Sequence, residues 1–466
     1  MSLKEIYSQK LLFFYVFFLL ITPLETHANS QSDSTDIENL SEFFSKGKFN
    51  GQIRNYFMAT VHHSTLPNYW TNATGGSLKF QTAKFHGFSL GVTGNIAFKT
   101  FSSELYNDSS PQLSAKWESE LYDLNETNFD KTHTRFDELY LSYEQENIRV
   151  TIGSQNIDQE PLLQQLDGRM MPFVYQGIWS EYQHAKGKSF LGVINGIGSR
   201  GMTNWYSLND GIGIIGRGLQ PDGTISNYRK KSDTRALVVA GHQHKIGKKW
   251  SVNLWTNWLD RIYGIHWLEG HYENENILAG VQYVFQHALP KQEQLDYNHR
   301  YYQPGENANI IAAKLGTKLS NWLLTGNYLH TFEGGRFLYP RELGRDNFFT
   351  SEPRSWQDGF GNSDVMKLKA NYRINNSKYG DINAGFAYNR IFSVSQKDLE
   401  NNKYAIPPYS QLTSDIQYSF NGMLKGLDLR FIYIYRISDE NITIPEKNMF
   451  YRTYFSHYNL IVNVNF

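Results

Sequence analysis

YNLIVNVNF, residues 458–466, decides how the rest of the chain is read. Tyr458, Leu460, Val462, Val464 and Phe466 alternate with Asn459, Ile461, Asn463 and Asn465. Successive side chains of a strand point to opposite faces, so one face here is apolar and the other polar apart from Ile461. An edge strand of a secreted sandwich carries the same pattern. The reading therefore depends on recurrence.

The pattern recurs upstream. Leu427, Leu429, Phe431, Tyr433 and Tyr435 oppose Asp428, Arg430 and Arg436; Leu412, Ile416, Tyr418 and Phe420 oppose Thr413, Asp415, Gln417 and Ser419. Met366, Leu368, Ala370 and Tyr372 oppose Lys367, Lys369, Asn371 and Arg373, and Ile311, Ala313, Leu315 and Leu319 oppose Lys314 and Lys318. Nearer the N-terminus, Phe88, Leu90, Val92, Ile96 and Phe98 face away from Ser89, Thr93, Asn95 and Lys99, while Leu139, Leu141 and Tyr143 face away from Glu138, Ser142 and Glu144. Any one of these segments is weak; together they predict an all-β chain.

Two bulk properties say where such strands sit. Mean hydropathy is −0.51, too polar for a helical membrane protein, yet aromatics make up 15% with 31 Tyr. A transmembrane antiparallel β-barrel accounts for both, since alternate residues meet lipid and water and aromatic residues gather in belts at the two interfaces. After the leading segment, no apolar run approaches the roughly 20 residues of a helical span. An open sheet edge in lipid would leave backbone groups unpaired, so the strands must close. Some 17 or 18 candidate strands are present, and closure of an antiparallel bacterial barrel favours the even number. Tight turns are predicted at 84–87, 145–147, 186–188, 247–249, 320–321 and 425–426. Long polar loops are predicted at 102–133, 155–173, 199–233, 334–362, 393–408 and 438–452. A barrel this wide cannot fill its interior with side chains, so polar inward faces imply water. The charged residues expected to face that lumen are Arg54, Lys79, Arg149, Lys314, Lys367, Lys369, Arg373, Asp415, Asp428, Arg430 and Arg436.

Residues 1–28 read as a cleaved export signal: Lys4 and Lys10 precede the apolar run LLFFYVFFLLI (11–21), and Thr26 and Ala28 place small side chains before the cut. A polar lead-in (29–48) and the barrel (49–466) follow. There is no cysteine, which excludes disulfides and thiolate chemistry, and 45 basic residues balance 45 acidic ones, which gives no field for nucleic acid.

At this point the residues resemble the OprD family of outer-membrane porins nearly end to end. The matching pieces are Arg54-Asn55-Tyr56-Phe57, GGSLKFQTAKFHGFSLGVTG (75–94), Asp167-Gly168-Arg169-Met170-Met171-Pro172 with Gly177, Leu424-Lys425-Gly426-Leu427-Asp428-Leu429-Arg430, and residues 458–466. The resemblance implies an 18-stranded, monomeric, water-filled channel, often in homotrimers, narrowed by inward-folded loops. It implies passive, substrate-preferring diffusion of small polar solutes, carboxylate-bearing nutrients such as amino acids or peptides among them. Asp167 and Arg169 would then lie in the constriction loop, with Arg169 lining the narrowest part. Family members pass a solute carboxylate along inward arginines, which grip it at successive weak sites. Arg430 falls on such a position, whereas Ile432, Asn459 and Thr60 stand where well-known members carry basic residues. Arg336, Arg341, Arg345 and Arg354 either form a different basic mouth or make a solvated loop face; the sequence allows both. The implied partners are outer-membrane lipid and lipopolysaccharide and, through the strand ending in Phe466, the barrel assembly machinery of a Gram-negative cell.

Other motifs point nowhere. Gly211-x-Gly213-x-x-Gly216 lacks the strand and helix that give a dinucleotide loop its function. His242 and His244 share a strand face but have no third ligand nearby in sequence, and His62 and His63 point to opposite faces, so no metal site is expected. No cofactor and no catalytic residue is expected, since neither a G-x-S-x-G elbow nor HExxH occurs. An outer-membrane lipase or protease would need a nucleophile or acid–base cluster at the rim. A ligand-specific transporter would usually bring a plug longer than residues 29–45.

Overall fold

Strands form where the alternation lies. In the computed structural model, which describes residues 37, 39–163, 165, 169–375, 378–438 and 453–466, nineteen strands belong to one sheet with every pairing antiparallel. They are β1 (Lys48–His62), β2 (Tyr69–Gln81), β3 (Phe88–Ser102), β4 (His133–Gln145), β5 (Ile148–Gln155), β6 (Val174–His184) and β7 (Gly187–Gly198). After the two-residue β8 (Tyr206–Ser207) come β9 (Leu237–Ile246), β10 (Trp250–Leu259), β11 (Tyr263–Glu273), β12 (Ile277–Ala288), β13 (Asn307–Leu319) and β14 (Trp322–Thr331). β15 (Ser363–Ile374), β16 (Gly380–Phe392), β17 (Tyr409–Phe420), β18 (Leu427–Ser438) and β19 (Phe455–Asn465) complete the set. β8 pairs only with the end of β7, which itself pairs with β9, so the wall is an 18-stranded ring. β1 closes it against β19, from Gln52 opposite Asn465 to His62 opposite Phe455. No edge is left to meet lipid, as the expected even count requires. The export segment, Asp167 and most of the 438–452 loop lie outside the described residues.

Short connections share one rim: 82–87, 146–147, 185–186, 247–249, 274–276, 320–321, 375–379 and 421–426. Long ones share the other, among them 103–132, 156–173, 199–236, 289–306, 332–362 and 393–408, with 63–68 and 260–262 short exceptions. The long 289–306 connection, which folds into two 3-10 turns (Pro290–Gln294 and Tyr297–His299), was not predicted. Within the expected lead-in, residues Leu40–Ser45 form a helix, α1, and β1 starts one residue early at Lys48. Asn39 caps α1 by accepting from the Glu42 amide at 3.0 Å. The Phe43 carbonyl then accepts from Ala83 at 3.1 Å, tying α1 to the first short turn.

The outward faces carry the expected apolar band: Ile53, Leu90, Leu141, Leu315, Leu368, Leu412 and Leu460 are all exposed. At the short-turn rim the aromatic belt consists of directly opposed cross-strand pairs. Phe49–Phe80, Phe88–Tyr143, Trp250–Tyr272 and Trp322–Tyr372 have ring centroids 4.6, 4.7, 4.8 and 4.8 Å apart. Trp70 and Phe101 mark the other belt. Phe80 follows Trp70 by ten positions on β2. At about 3.3 Å per residue and about 40° of tilt, that separation gives a band roughly 25 Å tall, the height of a bilayer's apolar layer.

The interior divides along its axis, which corrects the expectation of polar inward faces throughout. Toward the short turns the inward residues are polar, as at Asp415, Gln417, Asp428, Arg430 and Asn463. Toward the long loops the wall turns apolar at Tyr175, Ile194, Leu259, Ile265 and Val284, all buried. Loop residues Tyr301, Tyr302, Phe337, Leu338 and Phe360 pack onto that wall. A second cluster joins Tyr56, Met58, Ile432 and Ile461 of the facing wall to Trp117, Leu121, Met170 and Met171. The wall alone cannot fill so wide a ring; the inward loops do so in the outer half.

Candidate functional site

The two loop cores meet across a band of buried charge. Glu118 and Glu120 lie in a 3-10 turn, Glu118–Leu121, of the 103–132 loop. Arg169 approaches from the 156–173 loop with φ of +50°, a left-handed backbone rarely adopted by side-chain-bearing residues. Its Nε and Nη2 donate to Glu120 at 3.2 and 3.1 Å, and its Nη1 donates to the Tyr56 hydroxyl at 2.9 Å. The Tyr56 hydroxyl in turn donates to Asn459 Oδ1 at 3.2 Å, and Arg54 donates to the Arg169 carbonyl. Arg200 reaches Glu120 from a third loop at 3.1 Å. Burial alone would raise the Glu120 pKa, but the guanidiniums of Arg200, Arg169 and Arg354 outweigh it and hold the carboxyl at about 2.

Glu118 behaves oppositely. Burial pushes its pKa up to about 7, against the opposing Thr60 hydrogen bond and the more distant Arg354 and Arg169. A chain of hydrogen bonds leads to it: Arg354 to His457 Nε2 at 2.8 Å, His457 Nδ1 to the Thr60 hydroxyl at 2.8 Å, and Thr60 to Glu118. Since an arginine only donates, neutral His457 accepts at Nε2 and carries its proton on Nδ1. Arg135 on β4 fastens the loops to the wall. It donates to Asp137 at 2.6 Å, to the carbonyls of Ser199 and Met202 at 2.8 Å each, and to that of Pro172 at 2.6 Å.

Arg169 is therefore at the junction of the inward loops, but with no accessible surface, so it does not line open water as expected. Its partner in that expectation, Asp167, is not among the described residues. On the short-turn side of the 156–173 loop a cavity of about 340 Å³ opens, lined by Arg54, Lys79, Asn95, Asp137, Glu138 and Gln165. A larger concavity of about 910 Å³ lies outside, between Leu315, Leu368, Phe386 and Leu412, and belongs to the lipid-facing surface.

The remaining charged positions all take the inward face. Arg54 also donates to Asn463 at 2.8 Å, and Lys79 pairs with Glu138 at 2.7 Å. Arg149 faces Ser142, and Arg430 grips Asp415 at two points, 2.8 and 2.7 Å. Asp428 accepts from Asn465 at 2.7 Å. Arg373 is exposed near the short-turn rim. The lysines hold a loop: Lys367 and Lys369 reach Glu352 at 3.1 and 2.7 Å, and Lys314 lies 4.2 Å from the Phe349 ring centre. Arg436 is fully buried, donating to Gln411 at 2.8 Å and to the Arg354 carbonyl. No continuous column of arginine forms among the described residues, because Ile432, Asn459 and Thr60 occupy the intervening inward positions and are all buried.

The arginine-rich loop takes neither of the two expected forms. Arg336 pairs with Glu306 at 2.8 Å and Arg341 with Asp358 at 3.0 Å. Arg345 donates to the carbonyls of Arg341 and Gly344 at 2.6 Å each, and all four arginines are buried inside the ring. Glu118, Glu120, Arg200 and Glu352 were not singled out from sequence, since charged loop residues give no periodic signal, and His457 of β19 was not singled out either. Asp137 was missed for a local reason. The register of β3 and β4 slips between Thr93 and Gly94, and this bulge turns both Asp137 and Glu138 inward. The expectation about His242 and His244 also needs correction: His184 on β6 brings a third imidazole to them.

No protein-family model and no curated protein matches this sequence. Solved structures do. The crystal structure of OccK9 (OpdG) from Pseudomonas aeruginosa is matched over 91% of this chain and 99% of that one, with 14% identity and a TM-score of 0.69. OccAB2 from Acinetobacter baumannii is matched over 91% and 99%, with 13% identity and a TM-score of 0.69. OccAB3 from the same organism gives 91% and 99%, 16% identity and a TM-score of 0.65. These neighbours are members of the OprD porin family. At such identity the likeness is one of fold, and it matches the closed 18-stranded ring described above.

Proposed function

We propose that this chain is an outer-membrane porin that lets small polar solutes diffuse through its lumen, with selectivity set where the inward loops meet. The observation that carries this reading is the polar vestibule of the short-turn half, where Arg54, Lys79, Asp137 and Glu138 line a cavity beside the inward loops. Fixed charges of both signs at close quarters slow a solute without trapping it, which is what passive selectivity needs. The fold shared with solved porins supports the same reading.

The cavity beside the constriction suggests the solute. Arg54 and Lys79 line it together with Asp137 and Glu138, Lys79 being paired with Glu138 at 2.7 Å, so a small molecule bearing both a carboxylate and an ammonium meets charge of both signs there. Amino acids and short peptides fit that description. The chain itself supplies no chemistry in this reading. Planar-bilayer recording of the folded protein should show discrete ionic steps, and liposomes carrying it should swell faster in amino acids than in neutral sugars of equal size. Silent bilayers from correctly folded protein would remove the channel, whereas equal swelling would remove only the preference.

Two further expectations belong to this reading. The strand ending in Phe466 is the recognition element for barrel assembly, so Phe466→Ala should lower the yield of folded, heat-modifiable barrel in cells. Assembly as homotrimers is checked by the mass of the detergent-extracted complex.

A further inference from the structure

We propose that the outer wall of the barrel carries a transition-metal site, formed by His184, His242 and His244 at the short-turn rim. It would take a divalent cation of the zinc class on three imidazoles, leaving one coordination position open. The inference is independent of the channel reading.

The register builds the cluster. His184 of β6 lies opposite Gly187 of β7, and Gly187 lies opposite His244 of β9; Ser189 lies opposite His242. Two strands, β6 and β9, thus present their imidazoles on one face from either side of β7, with only a glycine and a serine between them. Gly187 admits nothing larger, since a Cβ there would sit 1.8 Å from the Gln243 carbonyl oxygen. The rings therefore close over β7, with centroids 5.2, 5.9 and 5.7 Å apart. One nitrogen from each lies within 4.8 Å of the other two. Tetrahedral coordination at 2.0–2.1 Å needs donors about 3.4 Å apart, a closure on the order of 1.4 Å from the present spacing.

The face is the outward one. His242 stands opposite Leu254 and His244 opposite Val252, and Leu254 is an exposed member of the apolar band. Around this rim the same level is filled by aromatic pairs such as Trp250–Tyr272. Here three imidazoles replace them. Two features prepare the rings to ligate. Ser189 Oγ sits 2.9 Å from His242 Nδ1, which fixes that ring and leaves its Nε2 for the cation, as outer partners of metal-binding histidines do. His184 Nε2 is buried and has no hydrogen-bond partner among the described residues. All-imidazole ligation suits zinc, copper(II) or nickel and disfavours calcium and magnesium, which want oxygen.

Calorimetric titration of the untagged, detergent-purified barrel with Zn²⁺ tests this. One saturable zinc per chain is expected, removable by chelator, absent in H184A and in H242A/H244A, and about tenfold weaker in S189A. The other outward pair, His266 and His287, with rings 5.7 Å apart, is the control: H266A/H287A should bind as the unmodified protein does. Co²⁺ in place of Zn²⁺ should give visible d–d absorption that H184Q removes. The heat-modifiable band reports that each variant is folded. Absence of saturable binding to folded protein overturns the proposal. So does unchanged affinity in H184A and H184Q, or equal loss in H266A/H287A.

Discussion

Glu118 and Glu120 are two positions apart, yet one is held at about 2 and the other is raised to about 7. The difference is the company each keeps: Glu120 meets Arg169 and Arg200 directly, while Glu118 has a hydroxyl and only distant guanidiniums. Between pH 6 and pH 8 Glu118 passes from mostly neutral to mostly charged, adding negative charge at the constriction. Anion preference, read from reversal potentials in a salt gradient, should therefore fall as pH rises through that window, and Glu118→Gln should flatten the dependence. A flat profile in the unmodified protein would discard Glu118 as the titrating group. Arg169→Ala should raise conductance and cost roughly 3 kcal/mol or less of loop docking, since Arg200 still neutralises Glu120. Identical currents in the variant would mean that this loop does not set the width. Arg54 was singled out from strand alternation and Arg169 only from the family resemblance. Their acidic partner was not, because a carboxylate in a long loop looks like any solvated one until the loop is seen to fold inward.

Along each strand the two faces differ in what they tolerate. Leu368 is exposed to the lipid side while its neighbour Lys369 reaches Glu352 within the lumen. Leu368→Lys should cost about 2–4 kcal/mol near mid-membrane, read as a lower urea midpoint in lipid, whereas Lys369→Gln should cost far less. Equal losses would mean the faces are misassigned. Alternation revealed these faces because it depends only on the pleat of a single strand. The β4 bulge at Asp137 and the two-residue β8 escaped that reading. A bulge changes parity by one residue, and only the partner strand shows where.

Closure of eighteen strands creates a ring too wide for its own side chains, and the inward loops decide how much of it stays open. The 332–362 loop is held by Lys314, Lys367, Lys369 and the Arg336–Glu306 pair. Replacing residues 336–360 with a short Gly/Ser linker should leave the β14–β15 pairing intact and raise single-channel conductance severalfold. An unaltered step size in bilayer recordings would place the limiting width elsewhere, at the 103–132 and 156–173 loops.

Period-two polarity, aromatic excess and the contrast between short and long connections were sufficient to establish a membrane barrel and its two rims, because each reflects how a residue and its near neighbours meet lipid or water. Which inward groups meet was settled only by the tertiary structure. Arg54 with Arg169, Thr60 with Glu118, and Arg354 with His457 are separated by 115, 58 and 103 positions. No local pattern encodes such pairings; they arise when loops that cannot stay in water with their apolar side chains fold back onto a ring wide enough to receive them.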